Sequence, residues 1–338
     1  MSNADTFTLE LTENAVKIFD GNINQKQIEV KKISLLDNLP FSFFIQDTTT
    51  DSNQNFSEII KKNLTALKID KRKVNLIIPD AYTYSQIISM PTLNEKELIS
   101  AIKYQADQFI PVPIDEVNLD LEIIHTNEKE KKILVLVVAA PKKIVNRIEE
   151  LIQISGLIPN ILENQLSSFG RFINQFSYFI SQESSSNLLF INLGQNSTSL
   201  YLFDKSISLI SKIHTFNLGY NLFLKELKIN TLLEDDKVKQ LLSSFDLNSK
   251  NPVNVETIIT PAIKQFIFEI KKIFTSNING FFIGEIFRFP ALSLIVSKNL
   301  GTSFPIFNPS PIIKKDQLID HYKDSLSFFV TTFGGQIE

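Results

Sequence analysis

The chain opens on two short apolar runs, Phe7 to Leu11 and Ala15 to Phe19, joined by the polar turn Thr12-Glu13-Asn14, and a third run covers Gln27 to Leu35. Alternation of this kind predicts a meander of three strands. After a polar stretch from Asp47 to Asn55 the spacing changes. Phe56, Ile59, Ile60, Leu64 and Leu67 share one face of a helix over 56–68, and Val74 to Ile78 is a continuous apolar strand. A helix crossing over a sheet is an α/β arrangement.

From Tyr84 the pattern reads strand (85–90), helix (94–109), strand (117–125), strand (132–140) and helix (141–154), which predicts a small inserted α+β module. Asn94 with Glu97 three residues on is a capping box, and Pro111 and Pro113 end the helix. The opening pattern then returns. Phe190 to Leu193, a polar turn from Gly194, and Leu200 to Phe203-Asp204 repeat the first layout, which ends in Phe19-Asp20. A strand over 208–216 and a helix from Tyr220 follow, so the repeated unit is a meander feeding a helix, as in a duplicated lobe.

A chain of 338 residues suits two cores, and 43% hydrophobic with 21% charged residues is the composition of a folding sequence. Its net charge of -3 gives no general drive toward nucleic acid. The absence of cysteine excludes disulfides and thiolate sites and suits a reducing compartment. Met1 to Asp5 lacks the regions of a signal peptide, and the longest apolar run, Ile133 to Ala140, is too short to span a bilayer, so membrane association is expected only through partners. None of the 10 glycines falls at the spacing of a Walker loop or dinucleotide fingerprint. His125, His214 and His321 lie too far apart to suggest a metal site, and Ser167-Ser168 and Ser184 to Ser186 lack a nucleophile-elbow setting. Lys68, Lys71, Arg72 and Lys73 read as a solvated cap on a helix end, with anionic headgroups as the alternative. Phe287 and Phe289 are candidate partner-facing aromatics.

A polar turn between two strands, once per lobe, resembles the phosphate turns of the actin-like ATPases. Against that superfamily's pattern of Asp, Gly two residues on and Lys seven residues on, the first turn offers Glu10, Thr12 and Lys17, and the second offers Asn192, Gly194 and Thr198. Within the superfamily, Met90-Pro91-x-Leu93 followed by Glu97-Leu98, Ala101-Ile102, Ala106, Ile110-Pro111, Glu116-Val117 and Leu119-Asp120 resembles the PilM family of type IV pilus assembly proteins. Gly156-Leu157-x-Pro159 ahead of Leu162-Glu163, Asn308-Pro309 and the last helix, 326–333, are also similar. The resemblance implies an actin-like α/β fold of duplicated ribonuclease H-like lobes. The first lobe would be 1–83 with 156–183, the inserted α+β subdomain 84–155, and the second lobe 187–338. It also implies a cytoplasmic scaffold, peripheral at the inner membrane, that binds the tail of a PilN-like bitopic membrane protein and other platform or motor components of a pilus, secretion or DNA-uptake system.

The nucleotide motifs of that superfamily are eroded here. Glu10 is one methylene longer than Asp, Thr12 adds a Cβ where glycine is usual, and Asn192 has lost the charge and the capacity to act as a base. Of the Gly-Gly pair expected after the strand 280–283 only Gly284 remains, followed by Glu285, while Gly219 precedes the helix at Tyr220. These departures predict no enzymatic turnover and no resident cofactor, ATP with Mg²⁺ being the ligand the fold would otherwise take. The rival reading is an ATP-binding actin-like ATPase whose nucleotide state gates partner binding; a sugar-kinase-like enzyme would need intact turns. A partner peptide is expected near the inserted module, on an exposed strand edge or in a groove, with Ile110, Pro111, Pro113 and Val117 as candidate contacts.

Overall fold

The computed structural model describes residues 5–37, 39, 42–44, 50–106, 108–182, 187–247, 254–273 and 278–337. Ser184 to Ser186 and the first residues of the polar stretch from Asp47 lie outside them. The chain divides into two compact units: residues up to Asp20 with Lys32–Ser168, and Gly21–Lys31 with Phe169–Ile337.

The first unit is built on β1 (Thr6–Leu11), β2 (Val16–Ile23) and β3 (Ile28–Leu36), whose joining end, Gly21–Lys31, is grouped with the second unit, and on α1 (Thr50–Leu67), β4 (Lys73–Ile78), β5 (Tyr84–Pro91), α2 (Glu95–Ala106), β6 (Val117–Asn127), β7 (Lys132–Pro141), α3 (Lys142–Ile154) and β8 (Ile158–Asn164). A five-stranded sheet has the order β3-β2-β1-β4-β8, with β1 antiparallel to β2 and parallel to β4, and β4 parallel to β8. Phe7, Leu9 and Leu11 share one face of β1 and pack with Leu76, Ile60 of α1 and Ile148 and Leu151 of α3 in one buried cluster. Each such side chain contributes about 1.5–3 kcal/mol on burial.

The inserted module is an antiparallel sheet of order β5-β7-β6. Leu98 and Ile102 of α2 bury its face with Met90, Ile133, Val135 and Val137. The capping box forms: Glu97 N donates to Asn94 Oδ1 at 3.0 Å and Asn94 N to Glu97 Oε2 at 3.2 Å. Helix α2 stops at Ala106, short of the expected 109, and Phe109 and Ile110 instead turn into a satellite cluster with Val117 and Ala139.

Two elements escaped the hydrophobic pattern. Helix α1 begins at Thr50, so residues 50–55 are helical where a polar linker was expected. That turn docks by hydrogen bonds: Asn53 Nδ2 donates to Glu150 Oε2 at 2.8 Å, and Arg147 Nη2 to Ser52 Oγ at 3.2 Å. Strand β8 was not anticipated, because most of its residues are exposed and it carries no alternation.

The second unit repeats the plan. After α4 (Gln165–Gln175), which starts in the first unit, and α5 (Ser177–Gln182) come β9 (Leu188–Leu193), β10 (Thr198–Asp204), β11 (Leu209–Phe216), α6 (Tyr220–Thr231), α7 (Asp235–Ser243), α8 (Val255–Ile270), β12 (Asn279–Gly284) and α9 (Ala291–Leu300). The sheet order β11-β10-β9-β12, with β9 antiparallel to β10 and parallel to β12, matches β3-β2-β1-β4 strand for strand. Leu189, Ile191 and Leu193 bury one face of β9 with Phe223 of α6 and Ile259 and Phe266 of α8. Phe289 is fully buried in that cluster, and Phe287 packs its ring on Phe328 at 5.5 Å, so neither aromatic is an open docking residue.

Candidate functional site

Two sets of residues carry chemistry, the strand turns of each unit and a groove in the first. In the first turn the ladder places Glu10 directly opposite Lys17, a pairing that brings Cβ atoms to about 5 Å. Lys17 Nζ lies 2.7 Å from Glu10 Oε1, and both side chains are wholly excluded from solvent. Gln165 Nε2 donates to the same oxygen at 2.8 Å. Thr12 closes the turn: its amide donates to Ala15 O at 2.9 Å, and Ala15 N donates to Thr12 Oγ1 at 3.0 Å. The turn needs no left-handed residue, so threonine fits where glycine is usual. Glu13 accepts from Tyr82 Oη at 2.9 Å, and burial, reinforced by that carboxylate, pushes the phenol well above its ordinary pKa.

In the second turn the residue opposite Asn192 is Ser199, while Thr198 pairs with Leu193. Ser199, not Thr198, is therefore the counterpart of Lys17, a correction that follows from the ladder register. Asn192 Nδ2 donates to Tyr201 Oη at 3.1 Å and Thr198 Oγ1 to Leu218 O at 2.7 Å. The first amides of α6 are taken by the turn itself, Tyr220 N by Gly194 O at 3.0 Å and Asn221 N by Gln195 O at 2.8 Å. A Cβ at Gly219 would meet those two carbonyl oxygens at 2.6 Å, so this glycine serves the closure. At Gly284 φ is +81°, and a Cβ would lie 2.4 Å from Leu193 O and 2.5 Å from Asn192 Oδ1. Glu285, which follows, is buried against Arg288 Nε at 2.5 Å.

A hydrated divalent ion binds through an open carboxylate, and Glu10 Oε1 is engaged here by an internal cation and an amide; phosphate binds free backbone amides, and Tyr220 N and Asn221 N at the start of α6 donate to turn carbonyls instead. No group of three or more His, Cys, Asp or Glu positioned to hold a metal occurs among the described residues.

The groove lies within the first unit, where the inserted module meets the five-stranded sheet. It is a cavity of about 260 Å³ lined by Asn118, Leu119 and Asp120 of β6, Val138 and Ala140 of β7, Val145 and Glu149 of α3, and Leu162 to Asn164 of β8. Among the described residues both β6 and β8 are edge strands, each hydrogen-bonded to a neighbouring strand on one side only. Asn164 fixes the geometry. Its Nδ2 donates to Thr83 Oγ1 at 3.1 Å and Ser85 Oγ at 2.8 Å, and its Oδ1 accepts from Ser167 N at 3.0 Å, capping α4. The charged residues of the lining are Asp120, Glu149 and Glu163, all acidic.

The model of the family described as type IV pilus assembly protein PilM matches residues 9–217, more than half of the chain. The chain belongs to this family. Among solved structures, a PilM–PilN type IV pilus biogenesis complex is similar over 98% of this chain and 97% of that one, at 18% identity and a TM-score of 0.80. The ethanolamine utilization protein EutJ from Carboxydothermus hydrogenoformans follows over 98% and 88%, at 9% identity and a TM-score of 0.55. At such identities the likeness establishes the fold, an actin-like α/β architecture consistent with duplicated ribonuclease H-like lobes. Comparison with curated proteins returns no match.

Of the partner contacts expected in this PilM-family chain, Pro111 and Pro113 are exposed, whereas Ile110 and Val117 are buried in the module's satellite cluster. Val117 opens β6, one residue before the groove begins, so the sequence pointed beside the groove and not into it. The β8 and α3 walls were missed. The stretch from Val145 to Glu163 and the Leu119-Asp120 pair, similar to the PilM family, marked that neighbourhood without being read as partner contacts.

Proposed function

We propose that this chain is a cytoplasmic, non-enzymatic scaffold of a type IV pilus, secretion or DNA-uptake platform. It captures the cytoplasmic tail of a PilN-like membrane protein in the groove of the first unit and does not turn over nucleotide. Through that tail it sits at the inner membrane and offers its remaining surface to other platform or motor components. The observation that carries this reading is a groove lined by residues of two edge strands, β6 and β8, and an extended peptide adds to such an edge by main-chain hydrogen bonds. Its three carboxylates favour a segment bearing Lys or Arg. Family membership supports the same role, and no helix among the described residues is long and apolar enough to cross a membrane, which suits anchoring through a partner.

Fluorescence anisotropy with a synthetic peptide of the host's PilN-like N-terminal tail tests this. Ala140→Arg, which fills the groove with a cation, should weaken binding at least tenfold without lowering the melting temperature, and wild-type binding should weaken as salt rises. Equal affinity of wild type and Ala140→Arg would place the partner elsewhere.

A further inference from the structure

At the end of α1 the first unit carries a second concavity, of about 490 Å³. Buried Leu64, Ile69 and Leu157 form its floor, and its rim holds Lys61, Lys68, Lys71 and Arg72 against one carboxylate, Asp70. Cations at a helix C-terminus ordinarily answer its open carbonyls. Here the backbone closes the helix unaided: Lys68 is left-handed at φ 54°, its amide donates to Thr65 O at 3.1 Å, and Ile69 N donates to Leu64 O at 3.0 Å. That is the Schellman pattern, and glycine would adopt it without strain. Lys71 Nζ is held by Asp20 Oδ1 at 2.7 Å and Thr6 O at 2.9 Å. The exposed side chains of Lys61, Lys68 and Arg72 make no hydrogen bond or ion pair among the described residues. Helix capping therefore does not account for them.

We propose that this cup is a direct contact for the phosphate headgroups of an acidic lipid surface, additional to any contact made through a partner. A site for a free phosphate ion would converge backbone amides or buried guanidinium groups on one point. This rim instead presents long, solvated point charges around an apolar floor, the arrangement that meets many phosphates at an interface. Each cation near an anionic bilayer raises partitioning about fivefold, so the three unpartnered ones give roughly a hundredfold.

Vesicle flotation with the full chain decides it. The protein should float with equal mixtures of phosphatidylcholine and phosphatidylglycerol, stay behind with phosphatidylcholine alone, and be released by high salt. The variant Lys61→Glu/Lys68→Glu/Arg72→Glu should lose more than two orders of magnitude of partitioning, because it replaces attraction by repulsion, whereas Lys129→Glu/Lys131→Glu at the tip of the module hairpin should lose little. Because the three side chains are exposed, the variant should melt as wild type does; the neutral Lys61→Gln/Lys68→Gln/Arg72→Gln should lose the roughly hundredfold that the three cations contribute. Equal flotation with both vesicle types, or full flotation of the reversed variant, overturns the proposal. So does release by soluble glycerol phosphate at concentrations too low to screen charge, which would make the cup a free-phosphate site. Ala140→Arg should float normally, which separates this contact from the groove.

Discussion

The internal ion pair of the first turn makes a quantitative claim. Lys17 and Glu10 face each other across the β1–β2 ladder at 2.7 Å with no solvent exposure. Removing the ammonium by Lys17→Met leaves the buried Glu10 carboxylate without its cation, Gln165 Nε2 still donating to it. Breaking such a pair from one side costs about 3–5 kcal/mol, whereas replacing both partners together is often close to neutral. For a cooperative unit of about 150 residues, each kcal/mol lowers the melting temperature by about 2–4 °C, so the single variant should melt roughly 6–20 °C below wild type. The double variant Glu10→Gln/Lys17→Met should recover most of that loss. Differential scanning calorimetry on wild type, both singles and the double closes the cycle. If Lys17→Met cost less than about 1 kcal/mol, the value of an exposed pair, the carboxylate would have access to water or another cation, and the argument that this turn has replaced its Mg²⁺ site would fall.

Three further outcomes follow from the same geometry. Millimolar Mg-ATP should leave the melting temperature of wild type unchanged, since saturation at about 100 times Kd would add about 2.7 kcal/mol and a shift of several degrees; such a shift would restore the nucleotide-gated reading. Gly284→Ala should destabilise the second unit by about 2 kcal/mol or more in urea denaturation, because it forces a Cβ onto Leu193 O at a left-handed backbone position. The Glu269 carboxyl is held below its ordinary value of 4.5, chiefly by a hydrogen bond from Lys272 at 2.8 Å and further by His214, against the opposing effect of burial. Its folded-state value is depressed, so its stabilisation is present above pH 4.5 and fades as pH falls through the lower folded value. Lys272→Met should flatten the acid limb of a melting-temperature profile, and an unaltered limb would show the pair to be energetically silent.

Much of this architecture is written locally. Alternation in Phe7 to Leu11 and the apolar run at Phe190 to Leu193 mark the two central strands, and the equal turn lengths after them betray the duplication, because both features depend on neighbours a few residues apart. The chemical erosion at Glu10, Thr12 and Asn192 is likewise visible in single residues. What those residues do instead was decided by folding. Whether Lys17 answers a ligand or Glu10 depends on ladder register, which also replaces Thr198 by Ser199 as its counterpart. The groove could not be read from periodicity, because an edge strand is defined by the neighbour it lacks, and β8 joins the sheet only after the inserted module has been threaded between it and β4. The first turn of α1 is polar, and it is helical because Arg147 and Glu150, nearly a hundred residues away, satisfy it. Periodicity records which side chains leave water; hydrogen-bond partners and sheet edges are set by distant parts of the chain, and only the tertiary structure brings them together.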